Sequence, residues 1–330
     1  MICEIVRVWP QDTALLSQVD ALLAQEGLSR DGNLDYTCAL LDPSGRVVGT
    51  GGYFDNTLRC LAVSRKYQGQ GLLNKLVTHL LDQEYACGKT HLFVYTKASA
   101  APMLQDLGFY EITRVGETLV FLENRRKGFE TYLHGLNSRK RPGCSAAVVM
   151  NANPFTLGHQ YLVETAAKQC DTLHLFVVSE DRSQFPFFVR KRLLEEGVAH
   201  LSNVLIHETG PYLISSATFP SYFLGDSEAV SENHARLDDA VFGKVAHVLG
   251  ITVRYVGEEP FSQVTRLYNQ ILTQELPKMG IACRVVPRLE VEGEPVSASR
   301  VRSLLQQGDL KQVRKLVPNS TFSFFTQYSL

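Results

Sequence analysis

Apolar and polar positions fall into two regimes along this chain. In the later half, strand-like apolar runs (AAVVM, LHLFVVS, NVLIHE, VRYVG and CRVVP) alternate with helix-like segments. Such alternation predicts an α/β fold, a parallel sheet with helices on both faces. The earlier half mixes strands with few helices. One stretch there, RCLAVSRKYQGQGLLNKLVTHLLDQEYACG, starts as an apolar strand, turns through Gln68-Gly69-Gln70-Gly71 and continues as an amphipathic helix. Leu72, Leu73, Leu76, Val77, Leu80 and Leu81 form its apolar face. A second, THLFVYTKASAAPMLQDLGFYEI, reads as strand, short helix, then Gly108-Phe109 leading into another strand. Between the halves, the polar stretch from Glu123 to Ser145 carries Arg139, Lys140 and Arg141 before Pro142-Gly143, and reads as a solvated join. The expected domains are residues 1–135 and 136–330.

Composition narrows the class. A chain of 330 residues exceeds one typical core, which agrees with two domains. A formal charge of -1 with no basic stripe argues against a nucleic-acid partner. No apolar run approaches the length of a membrane span, and the opening residues MICEIVRVWPQDTALL do not resemble a secretory signal. The seven cysteines are scattered and never form a CxxC pair, so neither a disulfide framework nor a zinc site is expected. Most read as small core hydrophobes, in keeping with a cytoplasmic protein.

Candidate chemistry sits at strand-to-helix corners. The turn Gln68-Gly69-Gln70-Gly71 opens a helix, where free N–H groups and the positive end of the helix dipole suit a pyrophosphate. A tight turn without a ligand is the plainer alternative. The two stretches together resemble the GNAT family of N-acetyltransferases, whose coenzyme loop reads Arg/Gln-x-x-Gly-x-Gly/Ala. Gln68 and Gly71 match it, while Leu73 stands at the last small position and is expected to crowd the loop. The resemblance implies an acetyltransferase-like α+β domain in which Gln68, Gly69 and Gly71 face a coenzyme-A-like group.

In NANPFTLGHQ, a strand ends in the turn Asn153-Pro154-Phe155, after which Gly158 allows a close backbone approach and His159 enters the first turn of a helix. Imidazole and the Thr156 hydroxyl can both reach a phosphate there. In EPVSASRVRSLLQQGDL, Ser297 or Ser299 can cap a helix that carries Arg302 in its first turn, and hydroxyls, free N–H groups and a guanidinium make an anion site. The pair resembles the nucleotidyltransferase superfamily, with its (His/Thr)-x-Gly-His and Ile-Ser-x-Ser/Thr-x-x-Arg signatures, and Val296 in place of Ile. That resemblance implies a Rossmann-like domain binding ATP with Mg²⁺. It gives catalytic parts to Thr156, His159, Ser299 and Arg302, and ATP contacts to Asn153, Pro154, Phe155, Gly158, Val296 and Ser297. Arg190 lies where relatives carry a phosphate-binding arginine. Arg192, Lys168 and Lys191 are further candidates.

MNANPFTLGHQYLVE, GPYLISSATFPSYFL, YVGEEPFSQVTRLYNQIL and EGEPVSASRVRSLL together look like the citrate (pro-3S)-lyase ligase family, as does the two-domain layout. The resemblance implies acetate as acceptor, an acetyl-adenylate, and the thiol of the phosphoribosyl-dephospho-coenzyme A arm on the citrate lyase acyl carrier subunit as partner. Asn151, Tyr212, Ser215, Ser216, Thr218, Phe219, Tyr222 and Glu258 would flank the acetate and adenine. A nucleotidyltransferase with a phosphate acceptor (a mononucleotide or phosphopantetheine) remains open. So do an acetyltransferase with a nucleotide-sensing second domain, and a non-catalytic carrier-binding scaffold.

Overall fold

The computed structural model describes residues 3–213, 219, 227–259 and 263–327. The chain divides into two compact units, Met1–Thr131 with Pro220–Asn233, and Tyr132–Phe219 with His234–Leu330. The division thus falls before residue 135 and is not contiguous in sequence, a property set by long-range contacts that periodicity does not carry. Among the described residues, no helix is long and apolar enough to cross a membrane.

The first unit runs β1 (Glu4–Arg7), α1 (Thr13–Gln25), β2 (Tyr36–Leu41), β3 (Val47–Phe54), β4 (Thr57–Val63), α2 (Leu72–Ala86), β5 (Phe93–Thr96), α3 (Ala101–Asp106), β6 (Tyr110–Val115) and β7 (Leu119–Glu123). Its seven strands lie in the order β1-β2-β3-β4-β5-β7-β6. The helix α2 forms where the leucine spacing placed it, and it seats closely because β3 is rich in glycine. A Cβ on Gly49 would stand 3.0 Å from Leu76, and one on Gly51 3.0 Å from Leu80. β4 and β5 are the parallel neighbours. They pair at Thr57–Phe93 and Leu58–Val94 and then part, leaving an opening between Val63 and Thr96.

Residues 123–145, expected as a solvated join, contain α4 (Gly128–Asn137). Phe129, Tyr132, Leu133 and Leu136 have the three- and four-residue spacing of a helix face, and Phe129 and Leu136 are buried. The Glu123 carboxylate accepts the Phe129 N–H at 2.7 Å, and Arg139 donates to the Ile206 carbonyl at 2.6 Å.

The chain continues with β8 (Ser145–Met150), α5 (Leu157–Ala167), β9 (Thr172–Val177), α6 (Phe187–Val198), β10 (Val204–Glu208), α7 (Ser227–Leu249), which belongs to the second unit from His234 on, β11 (Ile251–Gly257), α8 (Gln263–Glu275), β12 (Ala282–Val286), the short pair β13 (Glu290–Val291) and β14 (Glu294–Pro295), α9 (Ala298–Gln306), α10 (Leu310–Val313) and α11 (Asn319–Gln327). The five apolar runs became β8 to β12, all parallel, in the order β10-β9-β8-β11-β12. The order reverses between β8 and β11, and the crevice at the carboxyl ends of such strands is where ligands dock on open α/β sheets. Beneath it, Val148, Leu175, Val163, Leu193 and Leu194 are fully buried, each worth about 1.5–3 kcal/mol of removed apolar surface. The seven cysteines are free thiols. Cys3, Cys38 and Cys60 are buried, whereas Cys87 and Cys144 are exposed, so fewer serve the core than expected.

Candidate active site

β8 leaves the sheet beside the point of reversal, and the next residues are held from several sides. Arg190 donates to the Asn151 carbonyl at 2.8 Å and to its side-chain oxygen at 2.7 Å, to the Val178 carbonyl at 2.9 Å, to the Phe185 carbonyl at 3.1 Å and to the Glu180 carbonyl. One guanidinium thereby fixes the ends of β8 and β9 and the approach to α6. The Asn153–Pro154 bond is cis. The Asn153 amide oxygen accepts the Phe185 N–H at 3.1 Å. Phe155 is fully buried, packs where a Cβ on Gly197 would stand, and stacks on the His159 ring at 5.8 Å.

α5 caps itself. The Thr156 hydroxyl accepts the His159 N–H at 3.3 Å, and His159 Nδ1 accepts the Thr156 N–H at 3.1 Å, a reciprocal box closed by an imidazole. With Nδ1 an acceptor, the ring proton belongs on Nε2. Burial, with the Arg288 charge adding to it, pushes the His159 imidazole down to about 4. Near neutral pH it is therefore an uncharged Nε2–H donor.

The second motif meets this corner directly. A Cβ on Gly158 would stand 3.2 Å from the Val296 carbonyl oxygen, so glycine here allows close contact between the two motifs. Ser297 caps α9 by accepting the Arg300 N–H at 3.2 Å. Arg302 donates to the Ser299 hydroxyl at 3.1 Å and to the Asn153 carbonyl at 2.6 Å. The starts of α5 and α9 are thus drawn together, and two helix N-termini with a guanidinium between them form a positive cradle without a lysine.

Burial sorts the expected residues. Asn153, Gly158, His159, Ser297, Ser299 and Arg302 keep accessible surface. Phe155, Thr156, Val296 and Arg190 do not, at 0, 1, 2 and 0 %, and Pro154 is buried. The side chains of Phe155, Pro154, Val296 and Arg190 thus lie beneath this surface, and the Thr156 hydroxyl serves the cap of α5. Arg192 pairs with Glu196 at 2.8 Å and Lys191 with Glu208 at 2.7 Å, while Lys168 is exposed. Arg288 was missed; its position just beyond the carboxyl end of β12 was the available signal. Of the residues expected around acetate, Asn151 is bound to Arg190 and donates to Ser183 at 3.1 Å. Tyr212 packs at a tilt on Tyr132 at 4.9 Å, Phe219 packs on His234 at 4.8 Å, and the Glu258 N–H donates to the Val286 carbonyl at 2.9 Å. Ser215, Ser216, Thr218 and Tyr222 lie outside the described residues.

In the first unit, Gly69 and Gly71 take positive φ of 75° and 74°, and Gly71 caps α2 with no side-chain bond. Gln68 donates to the Val63 carbonyl at 2.9 Å. All three line a cavity of about 570 Å³ that opens between β4 and β5. Leu73 forms part of its wall and does not fill it.

Comparison with known proteins agrees with this geometry. Residues 145–325 match the family described as citrate lyase ligase C-terminal domain, and residues 13–119 match the acetyltransferase (GNAT) domain. A citrate pro-3S-lyase ligase of Klebsiella pneumoniae is 41 % identical over 315 residues, covering 94 % of this chain and 92 % of the relative. A ligase of the same name from Escherichia coli strain K12 is 35 % identical, covering 96 and 92 %. A phosphopantetheine adenylyltransferase of Staphylococcus haemolyticus is 34 % identical over 71 residues, 21 % of this chain and 44 % of that one. Two domain matches in the observed order, with identity sustained over nearly the full length of both ligases, place this chain in the citrate lyase ligase family.

Proposed function

We propose that this protein switches on citrate lyase by ATP-dependent acetylation in two steps. An acetate oxygen attacks the α-phosphorus of MgATP, pyrophosphate leaves, and acetyl-adenylate forms. The thiol of the prosthetic arm on the lyase's acyl carrier subunit then attacks the acetyl carbonyl and gives up its proton to solvent; the C–S bond of the thioester forms, the acyl C–O bond breaks, and AMP leaves with that oxygen. Acetate is already ionised near neutral pH, so the first step requires no general base. What it requires is neutralisation of charge on the phosphates as the α-phosphorus changes bonding partners. His159 Nε2–H, the Arg302 guanidinium and the N-termini of α5 and α9 are suited to that. Among the described residues, no group of three or more His, Cys, Asp or Glu stands ready to hold a metal ion. Mg²⁺ therefore enters this reading as part of the nucleotide substrate.

The bridge from Arg302 to the Asn153 carbonyl, with Gly158 against Val296, is the observation that carries the reading. It makes one site of the two motifs. Acetate-dependent exchange of labelled pyrophosphate into ATP tests it. Wild-type protein should exchange, and His159→Ala should lose about a hundredfold or more. Exchange that is indifferent to acetate but needs phosphopantetheine would instead favour a phosphate acceptor, the alternative that the adenylyltransferase match keeps specific. For the first unit, the parted strands and the open turn at Gln68–Gly71 support a cleft for the pantetheine part of the thiol arm.

A further inference from the structure

Arg288 belongs to neither motif, yet it touches both the loop after β11 and the start of the second motif. Its Nε donates to the Glu258 carbonyl at 2.7 Å, one terminal nitrogen donates to the Val296 carbonyl at 3.3 Å, and the other pairs with the Glu259 carboxylate. The Val296 carbonyl is the same atom that stands against Gly158. We propose that Arg288 is a positioning residue of the adenylyl-transfer site, clasping the loop after β11 to the second motif at the corner that carries His159. The inference rests on the adenylation reading above.

Two consequences separate this role from simple structural support. A guanidinium can bind three acceptors in fixed directions and a lysine ammonium cannot do so in the same geometry, so the clasp and the charge can be removed separately. Arg288, on the connection after β12, is the charge that acts on the imidazole; it is paired with Glu259 after β11, Arg302 on α9 is bound to the Asn153 carbonyl, and on its own helix His159 meets the Thr156 cap. Burial lowers the imidazole, and the Arg288 charge adds to it. With it present, the ring keeps its single proton on Nε2 and the cap at Nδ1 stays intact as the solution becomes acidic. An imidazolium would protonate Nδ1 and break that box.

The test compares Arg288→Gln, which removes the charge, with Arg288→Lys, which keeps it. The His159 ring signal, assigned by its loss in His159→Ala, is titrated by NMR, and acetate-dependent pyrophosphate exchange is measured alongside. In Arg288→Gln the His159 midpoint should rise by about half a pH unit or more, and exchange should fall about tenfold or more. Arg288→Lys should hold the midpoint near that of the wild type while still losing exchange. A midpoint that stays put in Arg288→Gln, or exchange within about twofold of wild type in both variants, overturns the inference. Absence of exchange in the wild type would instead remove the adenylation reading, and the NMR midpoint would still decide whether Arg288 governs His159.

Discussion

In the first unit β4 runs into α2 through Gly69 and Gly71, both at positive φ, with nothing within 4 Å of where a Cβ would stand. In the second unit β8 runs into α5 through Gly158, where a Cβ would meet the Val296 carbonyl at 3.2 Å. The two corners have the same outline, strand, glycine turn and helix, and use glycine for different reasons. At the first it supplies a backbone conformation and leaves the helix amides uncapped beside an open cavity. At the second it lets two protein segments touch, while Thr156 and His159 cap the helix from within. An open corner is suited to admitting a long, variable arm. A closed one fixes donors around a small reacting centre.

The largest break in that comparison should come from Arg190, which holds the closed corner from below. Arg190→Met strips the donors from the carbonyls of Asn151, Val178, Glu180 and Phe185. Stranding buried acceptors of this kind should cost about 3–5 kcal/mol and abolish pyrophosphate exchange. Hydrogen exchange mapped by peptide should show the loss across β8 and β9, while fluorescence of Trp9, the chain's single tryptophan, reports a first unit that is still folded. Collapse of both units together would remove the idea that the closed corner is held locally.

Gly158→Ala comes next. The added methyl meets a backbone oxygen that flexible side-chain movement cannot clear, so either α5 or α9 must shift by a few tenths of an ångström. A cost of about 1–3 kcal/mol in stability follows, and displacement of the cradle should lower exchange about thirtyfold or more. Normal exchange in a stable Gly158→Ala protein would show that the two motifs need not touch.

How far the sequence carried these distinctions can be read residue by residue. The strands β8 and β9 were legible because each is buried on both faces and reads as an almost continuous apolar run, while β10, β11 and β12, more exposed, were legible from their β-branched residues and their alternation with helix-like segments. Thr156, Gly158, His159, Ser299 and Arg302 were legible as motifs, since their spacing follows from helix geometry. Which of them reach the surface was not legible. That Arg190 and Phe155 bury their side chains was among the things not legible, because it depends on α6 meeting the end of β8, through Gly197 against Phe155 and Arg190 on the Asn151 carbonyl. Arg288 gave little signal, as its partners at Glu258 and Val296 stand 30 and 8 positions away. α4 carries its signal in the spacing of Phe129, Tyr132, Leu133 and Leu136, but the polar residues around it and the cluster Arg139-Lys140-Arg141 before Pro142-Gly143 read as a solvated join.

Acid should separate the units less sharply. In the second, Arg139 donates to His207 Nδ1, which leaves His207 Nε2–H to donate to His174 Nδ1 at 2.9 Å and His174 Nε2 buried without a partner. Burial, with the arginine charge adding, pushes these imidazoles down to about 3 and about 4. Between those values and the ordinary imidazole range near about 6.5, the unfolded chain binds protons that the folded one excludes. Stability from the pair is thus complete above that range and lost as pH falls through it. The second unit's melting temperature should drop by about 5 °C or more between pH 7 and pH 4.5, and the His174→Leu/His207→Leu double variant should flatten that slope. The first unit's lowered imidazole, His79, is only partly buried, so Trp9 fluorescence should report a shallower response.

The smallest effect belongs to the open corner. Gly71→Ala meets no atom within 4 Å but must hold an L side chain at φ 74°, a strain of about 1 kcal/mol. Stability should fall by that amount, and acetate-dependent exchange should remain within about twofold of wild type because the site proposed for adenylation lies in the other unit. Acetylation of the carrier arm should weaken instead, seen as a severalfold rise in KM for the carrier with kcat for exchange unchanged. Gln68→Ala, which frees the Val63 carbonyl at the mouth of the same cavity, should act in the same direction without touching φ. If both variants acetylate the carrier as wild type does, the first unit's cleft plays no part in receiving the arm. The contrast between the corners would then be one of architecture alone.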